Sequence, residues 1–187
     1  MKIFIGLGNP GAEYKDTRHN AGFMVIDNFL KKVESFKEKK YRYFISFCAE
    51  VDGNEAVLVK PRVYINESGI AVRKVLDTFK VKPEDLVIIH DDLGIKTGKI
   101  KITFNKGDNG HKGIISIFNE INTSDFYRIR IGIGKEEKIE IPYVKYVLSP
   151  FETDEILSVK EAIEKATEAI REIVLSGIDK AMTVYNR

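Results

Sequence analysis

The sequence predicts an α/β fold: a single-domain three-layer sandwich in which a twisted mixed β-sheet is flanked by helices, with a long C-terminal helix. Strand-like and helix-like segments alternate along the 187 residues, which is typical of α/β proteins. Asp52-Gly53 lies between two strand-like segments and indicates a hairpin, so some neighbouring strands should be antiparallel. No repeat or Pro/Ser-rich linker divides residues 1–187, and one domain is expected.

Apolar spacing defines the elements of the first half of the chain. Lys2 to Leu7 is predicted as a buried strand, and apolar residues then recur at helical spacing from Asn20 to about Phe36. Residues 41–51 alternate between apolar and mostly polar positions, as a half-buried strand does. Ala56 to Val59 is predicted as the returning strand, and a helix is expected from about Asn66 to Phe79.

The second half continues the same alternation. The short apolar run Leu86–Ile89 is typical of a central strand covered on both faces. Alternating segments at 100–104 and 127–133 predict two further strands, with a helix through 115–121 between them. One apolar stripe predicts the long C-terminal helix; its members are Ile156, Val159, Ile163, Ala166, Ile170 and Ile173.

Composition indicates a soluble globular protein of the cytoplasm. Hydrophobic residues make up 43% of the chain and charged residues 31%, which is ordinary for such proteins. The apolar runs are too short to cross a membrane, and the N-terminal segment lacks the features of a signal peptide. The single cysteine, Cys48, cannot form an internal disulfide, which suits a reducing compartment.

Charge is distributed unevenly although the net charge is only +2. Residues 95–130 contain seven Lys/Arg against three Asp/Glu, and residues 152–172 contain three against seven. A basic face could bind a phosphate-rich polyanion, although two solvated surfaces explain the same pattern. The candidate cations are Lys99, Lys101, Lys106, Lys112, Arg128 and Arg130.

A glycine-rich turn follows the first strand. Residues 6–11 match the pattern G-x-G-x-x-G, which in dinucleotide-binding proteins leads directly into a helix. Here the segment after Gly11 is polar and has no apolar helical face, so a dinucleotide site is disfavoured. A tight turn that requires positive φ explains these glycines more simply.

Polar side chains follow two strands that are predicted to be neighbours. Asn9 and His19 come after the first strand, and Asp91 comes after the run Leu86–Ile89. Ligands bind at the carboxyl ends of strands in α/β sheets, so these groups should lie at one functional edge. A carboxylate that holds one imidazole nitrogen would leave the other free to take a proton from water, which suits attack on an ester.

Other interpretations of these residues remain open. A zinc site could use His19, His90, Asp91 and His111, but neither H-x-x-x-H nor C-x-x-C spacing supports it. Ser68 lacks the G-x-S-x-G context of a nucleophile and is better explained as a helix-start residue. His90 could simply pack in the interior, and His19 could cap a turn.

Five blocks of residues, in order along the chain, resemble bacterial-type peptidyl-tRNA hydrolases. They span residues 3 to 134, and the predicted C-terminal helix follows at the expected place. One block would be weak evidence, whereas five in the same order are strong. The blocks are Gly6–Gly11 with Tyr14, Thr17–Gly22 and Asp27; Lys60-Pro61 with Tyr64–Gly69; His90–Leu93; Gly110–Gly113; and Arg128–Gly134.

The resemblance implies a monomeric esterase, without metal or cofactor, that hydrolyses peptidyl-tRNA and so recycles tRNA released prematurely from ribosomes. It implies that His19 is the general base, that Asp91 supports it, and that Asn9 recognises the blocked peptidyl end. The partners implied are the tRNA acceptor end and the nascent peptide, with no membrane and no obligate protein partner.

The resemblance also implies a substrate site lined by Tyr14, Tyr64 and Asn66. One departure concerns Lys112, which replaces the asparagine usual in the family and could contact a phosphate or the peptide carbonyl. Arg130 is expected to contact RNA. A rival hypothesis is a catalytically silent relative that binds RNA without turning it over.

Overall fold

The computed structural model describes residues 2–135 and 139–186, and its seven strands form one mixed sheet. The order across the sheet is β2-β3-β4-β1-β5-β7-β6. The strands are β1 Ile3–Gly6, β2 Phe36–Lys40, β3 Phe44–Val51, β4 Asn54–Pro61, β5 Leu86–Lys96, β6 Ile100–Phe104 and β7 Tyr127–Gly134.

The centre of the sheet is parallel and both of its outer parts are antiparallel. β1 lies between β4 and β5 and runs parallel to both, and β5 runs parallel to β7. β3 pairs antiparallel with β2 and β4, and β6 with β7. Gly6 at the end of β1 is opposite Ile89 of β5, so the residues that follow them emerge at the same edge.

Helices cover both faces of the sheet and complete the predicted three-layer α/β fold. Helices α1, α5 and α6 pack on one face through Val25, Ile170 and Ala181, while α2 and α3 pack on the other through Val72 and Ile117. A short α4 lies beside the functional edge. The helices are α1 Ala21–Leu30, α2 Ser68–Phe79, α3 Lys112–Ile121, α4 Tyr143–Val147, α5 Ile156–Ser176 and α6 Ile178–Tyr185.

Several predicted bounds were wrong. The first helix ends at Leu30 rather than near Phe36, and the strand Phe36–Lys40 was not predicted. Its sequence, FKEKK, is exposed along its whole length, so it lacks the apolar alternation by which a strand is recognised. The central strand β5 continues beyond Ile89 to Lys96 because its polar residues keep pairing with β7.

The glycines after β1 serve close packing more than turn formation. Of Gly6, Gly8 and Gly11, only Gly11 has a positive φ, at 121°. A Cβ on Gly6 would lie 2.5 Å from the carbonyl oxygen of Gly22 in α1, and one on Gly8 would lie 2.7 Å from the Phe23 ring. The interpretation of all three as positive-φ turn residues was therefore wrong. The next α-helix begins only at Ala21, so the turn does not lead directly into a phosphate-binding helix.

Among the residues that the structure describes, no helix combines the length and the apolar character needed to span a membrane.

Candidate active site

An imidazole and a carboxylate meet at the shared edge of β1 and β5. His19 lies in a short 3₁₀ helix, Arg18–Asn20, that immediately precedes α1, while Asp91 projects from β5. His19 Nδ1 lies 2.9 Å from Asp91 Oδ1 and 3.0 Å from Oδ2. Only 7% of His19 and 1% of Asp91 are exposed. The sequence-based expectation that these two groups share a cleft agrees with this geometry.

The hydrogen bonds around Asp91 determine which atom of His19 is available. Burial alone would raise the pKa of Asp91, but the charges and hydrogen bonds of His19 and His111 hold it well below its usual range. An ionised carboxylate can only accept, so His19 Nδ1 carries the proton and donates. In the neutral ring Nε2 of His19 is then the unprotonated nitrogen, the one able to take a proton from water.

A second histidine donates to the same carboxylate. His111 Nε2 lies 3.0 Å from Asp91 Oδ1, and its ring centroid is 5.0 Å from that of His19. His111 is also the N-cap of α3, where its Nδ1 accepts a hydrogen bond of 3.2 Å from the backbone N–H of Ile114. Its position just before an apolar helical segment is the sequence feature that indicates an N-cap.

His90 is a packed interior histidine. It is wholly buried, with its ring centroid 4.6 Å from that of His111. Its Nδ1 is 2.6 Å from the main-chain oxygen of Asp91. Burial, followed by the charges of His111 and Arg128, lowers the pKa of His90 well below 6.5. The ring is therefore neutral and donates from Nδ1 to that carbonyl.

One of the four residues predicted for a zinc site, His90, does not face the other three as a ligand. His90 turns its Nδ1 to a backbone carbonyl, and its Nε2 has no partner among the described residues. His19, Asp91 and His111 do offer ligand atoms within 4.8 Å of one another. In the described residues their separations of 2.9 to 3.0 Å are those of direct hydrogen bonds.

Asn9 is fixed in a single orientation. Its Oδ1 accepts a hydrogen bond of 2.8 Å from the backbone N–H of Ile65. Its backbone is held by Asn20, whose Oδ1 accepts from Asn9 N at 2.8 Å and whose Nδ2 donates to Asn9 O at 3.0 Å. Because Oδ1 is occupied, the Nδ2 hydrogens of Asn9 are the ones available to a ligand in the cleft that this residue lines.

A cleft of about 970 Å³ opens beside His19. The predicted residues Asn9, Tyr64, Asn66 and Lys112 line it together with His19 and Asp91. Tyr14 is not among these lining residues but packs edge-to-face on Tyr64 at a centroid distance of 6.2 Å. An apolar wall completes the cleft; it consists of Ile65, Leu93, Ile139, Tyr143, Val144, Val147 and Leu148.

The structure does not support the prediction that Arg130 contacts RNA. Arg130 is only 6% exposed, and its Nε donates to Asp92 Oδ2 at 2.7 Å. Arg128 is likewise buried and donates from Nη2 to the Gly107 carbonyl at 3.0 Å. Their side chains serve interactions within the protein. The other four predicted cations are exposed: Lys99, Lys101, Lys106 and Lys112.

Arg18 anchors the segment that carries His19. No role of its own was predicted for this residue. Its guanidinium is fully buried and binds both carboxylate oxygens of Glu155 at 2.8 and 2.5 Å. It lies between the rings of Tyr146 and Phe151, at 4.3 and 4.9 Å from their centroids. This pair fixes the 3₁₀ helix of His19 against the chain segment that leads into α5.

The fold and the cleft together define a class of protein. A buried imidazole–carboxylate pair, with one imidazole nitrogen left unprotonated, is typical of enzymes that activate water by general-base catalysis. Its position at the carboxyl ends of parallel strands is where α/β enzymes bind their ligands.

Comparison with known proteins identifies the family. The family model described as "Peptidyl-tRNA hydrolase" matches residues 3–187. The peptidyl-tRNA hydrolase of Thermodesulfovibrio yellowstonii is 43% identical over 189 residues, with both chains fully covered. That of Aquifex aeolicus is 38% identical and covers 100% of this chain and 97% of the relative. The chain belongs to the peptidyl-tRNA hydrolase family, and the prediction of such a hydrolase is confirmed.

Solved structures agree with this assignment. The crystal structure of peptidyl-tRNA hydrolase from Acinetobacter baumannii has a TM-score of 0.89 at 31% identity, covering 98% of this chain and 93% of that one. A uridine phosphorylase from Vibrio fischeri has a TM-score of 0.54 at 7% identity. The latter similarity concerns the fold alone.

Proposed function

We propose that the hydrolysis of peptidyl-tRNA by this enzyme proceeds by direct attack of water on the ester, with His19 as the general base and Asp91 as its support. The observation that carries this proposal is the hydrogen bond between His19 Nδ1 and Asp91, which leaves Nε2 unprotonated beside the cleft. The substrate ester joins the tRNA to the peptide, or to an N-blocked amino acid.

The proton movements follow from this arrangement. His19 Nε2 takes a proton from water as the oxygen attacks the ester carbonyl, and the buried Asp91 carboxylate stabilises the imidazolium that forms. The imidazolium then returns the proton to the ribose oxygen as the ester bond breaks, which releases the peptide acid and free tRNA. General-base assistance of this kind contributes roughly 10²–10⁴-fold to the rate.

The fixed amide of Asn9 is the proposed recognition group for the peptide. Its Nδ2 can donate to the carbonyl that blocks the N-terminal side of the aminoacyl ester, a group that free aminoacyl-tRNA lacks. The exposed amide of Asn66, which also lines the cleft, is proposed to bind the peptide backbone. Tyr64, with Tyr14 packed behind it, provides an aromatic wall.

The exposed cations are proposed to bind the tRNA backbone. Lys112 lines the cleft at the start of α3, while Lys106 is exposed in the preceding loop. Contacts to phosphates carry no sequence information, which suits an enzyme that must release many different tRNAs. Arg130 is not included, because Asp92 already occupies it. We also propose that the enzyme acts as a monomer in the cytoplasm, without metal or cofactor.

A side-by-side turnover assay tests this proposal. Purified protein should release the acyl group from N-blocked aminoacyl-tRNA and spare the unblocked form, with and without EDTA. Binding of tRNA without release of the acyl group would favour the silent RNA-binding relative. Loss of activity in EDTA that zinc restores would instead favour a metal site at His19, Asp91 and His111.

A further inference from the structure

We propose that His111 is a positioning residue for the reaction: its Nδ1 caps α3, its Nε2 donates to Asp91, and it thereby fixes the carboxylate on which His19 depends. This inference rests on the proposed role of His19 as the base. Two hydrogen bonds of the His111 ring support it, one at Nδ1 and one at Nε2.

The first bond determines the tautomer. The backbone N–H of Ile114 can only donate, so Nδ1 of His111, at 3.2 Å, must present its lone pair. The hydrogen of a neutral ring is then on Nε2, which faces Asp91 Oδ1 at 3.0 Å. Protonation of Nδ1 would break the cap and set two N–H groups against each other. The cap of α3 thus fixes which nitrogen of the neutral His111 ring carries the hydrogen.

The second bond completes the coordination of a buried carboxylate. Asp91 is 1% exposed and so depends on protein donors in place of water. His19 Nδ1 provides one donor and His111 Nε2 the other, both reaching Oδ1. A carboxylate with two fixed donors cannot rotate freely, so the His19 ring that it orients keeps Nε2 on the cleft side.

The two bonds together assign different roles to two neighbouring imidazoles. The centroids of His19 and His111 are 5.0 Å apart and both rings contact Asp91, so either could in principle take the proton from water. Only His19 has no backbone donor on its second nitrogen among the described residues. The capping bond of His111 therefore directs the proton to His19. It also connects the catalytic carboxylate to the helix whose first residue, Lys112, lines the cleft.

Two substitutions at His111 each remove one of its two hydrogen bonds and retain the other. His111→Asn retains an oxygen near the position of Nδ1 and is a good N-cap residue, but it has no donor that reaches Asp91. His111→Gln places an amide donor near the position of Nε2 and loses the cap. Asn119→Ala, on the exposed face of the same helix, is the matched control, and His19→Ala tests the base itself.

The expected results are specific to each variant. His111→Asn should retain the melting temperature and lose roughly tenfold or more in kcat with little change in KM, the effect of losing one charge-assisted hydrogen bond. The acid limb of its kcat profile should move to higher pH. The Asp91 carboxylate then has one donor fewer and stabilises the protonated form of His19 more strongly. His111→Gln should melt at a lower temperature but retain more of kcat. ¹⁵N NMR of the wild-type imidazoles should show the Nε2–H tautomer at His111.

Three outcomes would overturn the proposal. The first is a kcat and pH profile of His111→Asn that match wild type. The second is a loss of kcat in both variants that follows their melting temperatures, and the third is an Nδ1–H or doubly protonated His111 at neutral pH. Failure of the proposed function is distinguishable from these. It would appear as near-normal turnover in His19→Ala, whatever the variants at position 111 do.

Discussion

At the scale of single residues, the site depends on a buried carboxylate that accepts from two imidazoles. The position of Asp91 in β5 and that of His19 before α1 follow from the parallel pairing of β1 with β5. Because two strand ends meet at one edge, sequence reasoning could bring these residues together. It named His111 only as a possible zinc ligand and could not predict the hydrogen bond of that ring to Asp91, because this contact depends on where α3 begins in space.

Asp91→Asn tests the carboxylate directly. The amide offers one acceptor and one donor in place of two acceptors, so it no longer specifies the Nδ1–H tautomer of His19 and cannot stabilise the imidazolium. We expect kcat to fall by roughly 10²-fold or more, with a smaller change in KM. Steady-state kinetics on N-blocked aminoacyl-tRNA, with circular dichroism as a check of the fold, measures this. A kcat within twofold of wild type would remove Asp91 from the mechanism.

The burial of Arg130, which the sequence did not predict, also has a residue-scale cause. Alternation along β7 places Arg128 and Arg130 on the same face of the sheet, and the sequence does not reveal whether that face is covered at this point. In the structure both side chains are buried, one bonded to Asp92 and the other to the backbone of the loop before α3. Counting Arg128 and Arg130 as surface cations therefore overestimates the positive charge of this face.

At the scale of elements, the site depends on how closely α1 approaches the sheet. The segment that carries His19 leads directly into this helix, and the approach depends on glycines. A Cβ on Gly22 would lie 2.3 Å from the carbonyl oxygen of Ile89 and 2.5 Å from the backbone nitrogen of Leu7. Both neighbours are backbone atoms in the core and cannot move aside as a flexible side chain would.

Gly22→Ala should therefore displace α1 and with it the 3₁₀ helix of His19. We expect a loss of about 1–3 kcal/mol in the free energy of unfolding, the usual cost of overpacking, together with a lower kcat. Gly107→Ala is the control, because a Cβ there meets no atom within 4 Å. Denaturant unfolding compares the two variants. Equal stability of both would show that α1 can shift without cost.

Most elements could be predicted because their apolar residues face a single core. The long α5 and the hairpin of β3 and β4 agree with their predicted positions, apart from small shifts of their ends. The strand β2 lies at the sheet edge with all five residues exposed. Its structure is determined by backbone pairing with β3 and not by burial, so hydrophobic patterning contained no indication of it.

At the scale of the whole molecule, buried histidine links stability to pH. Burial holds the pKa of His90 well below 6.5, so His90 stays neutral in the folded protein, while the unfolded chain takes up a proton as the pH falls below that value. The stability that His90 contributes is thus fully present above pH 6.5 and is lost on acidification. The slope from one such proton is at most about 1.4 kcal/mol per pH unit.

Replacing His90 by Gln should flatten this dependence. Denaturant unfolding of wild type and His90→Gln between about pH 5 and pH 8 measures both slopes, and the difference between them isolates this residue from other titrating groups. We expect the wild type to lose stability more steeply than the variant as the pH falls below 6.5. Parallel curves would show that the folded and unfolded states do not differ in the protonation of residue 90, as would happen if His90 were protonated in the folded state.

The buried pair of Arg18 and Glu155 has a consequence for the order in which a nascent chain matures. In the described part of the chain, all seven strands of the sheet, Asp91 and the two imidazoles that contact its carboxylate precede residue 135. The partner that neutralises Arg18 comes only at position 155, and an arginine in that pocket without its carboxylate would be an uncompensated charge. Arg18 therefore gains its partner only after every strand of the described sheet has been synthesised. We expect the newly made enzyme to become competent only once the start of its long C-terminal helix has emerged from the ribosome.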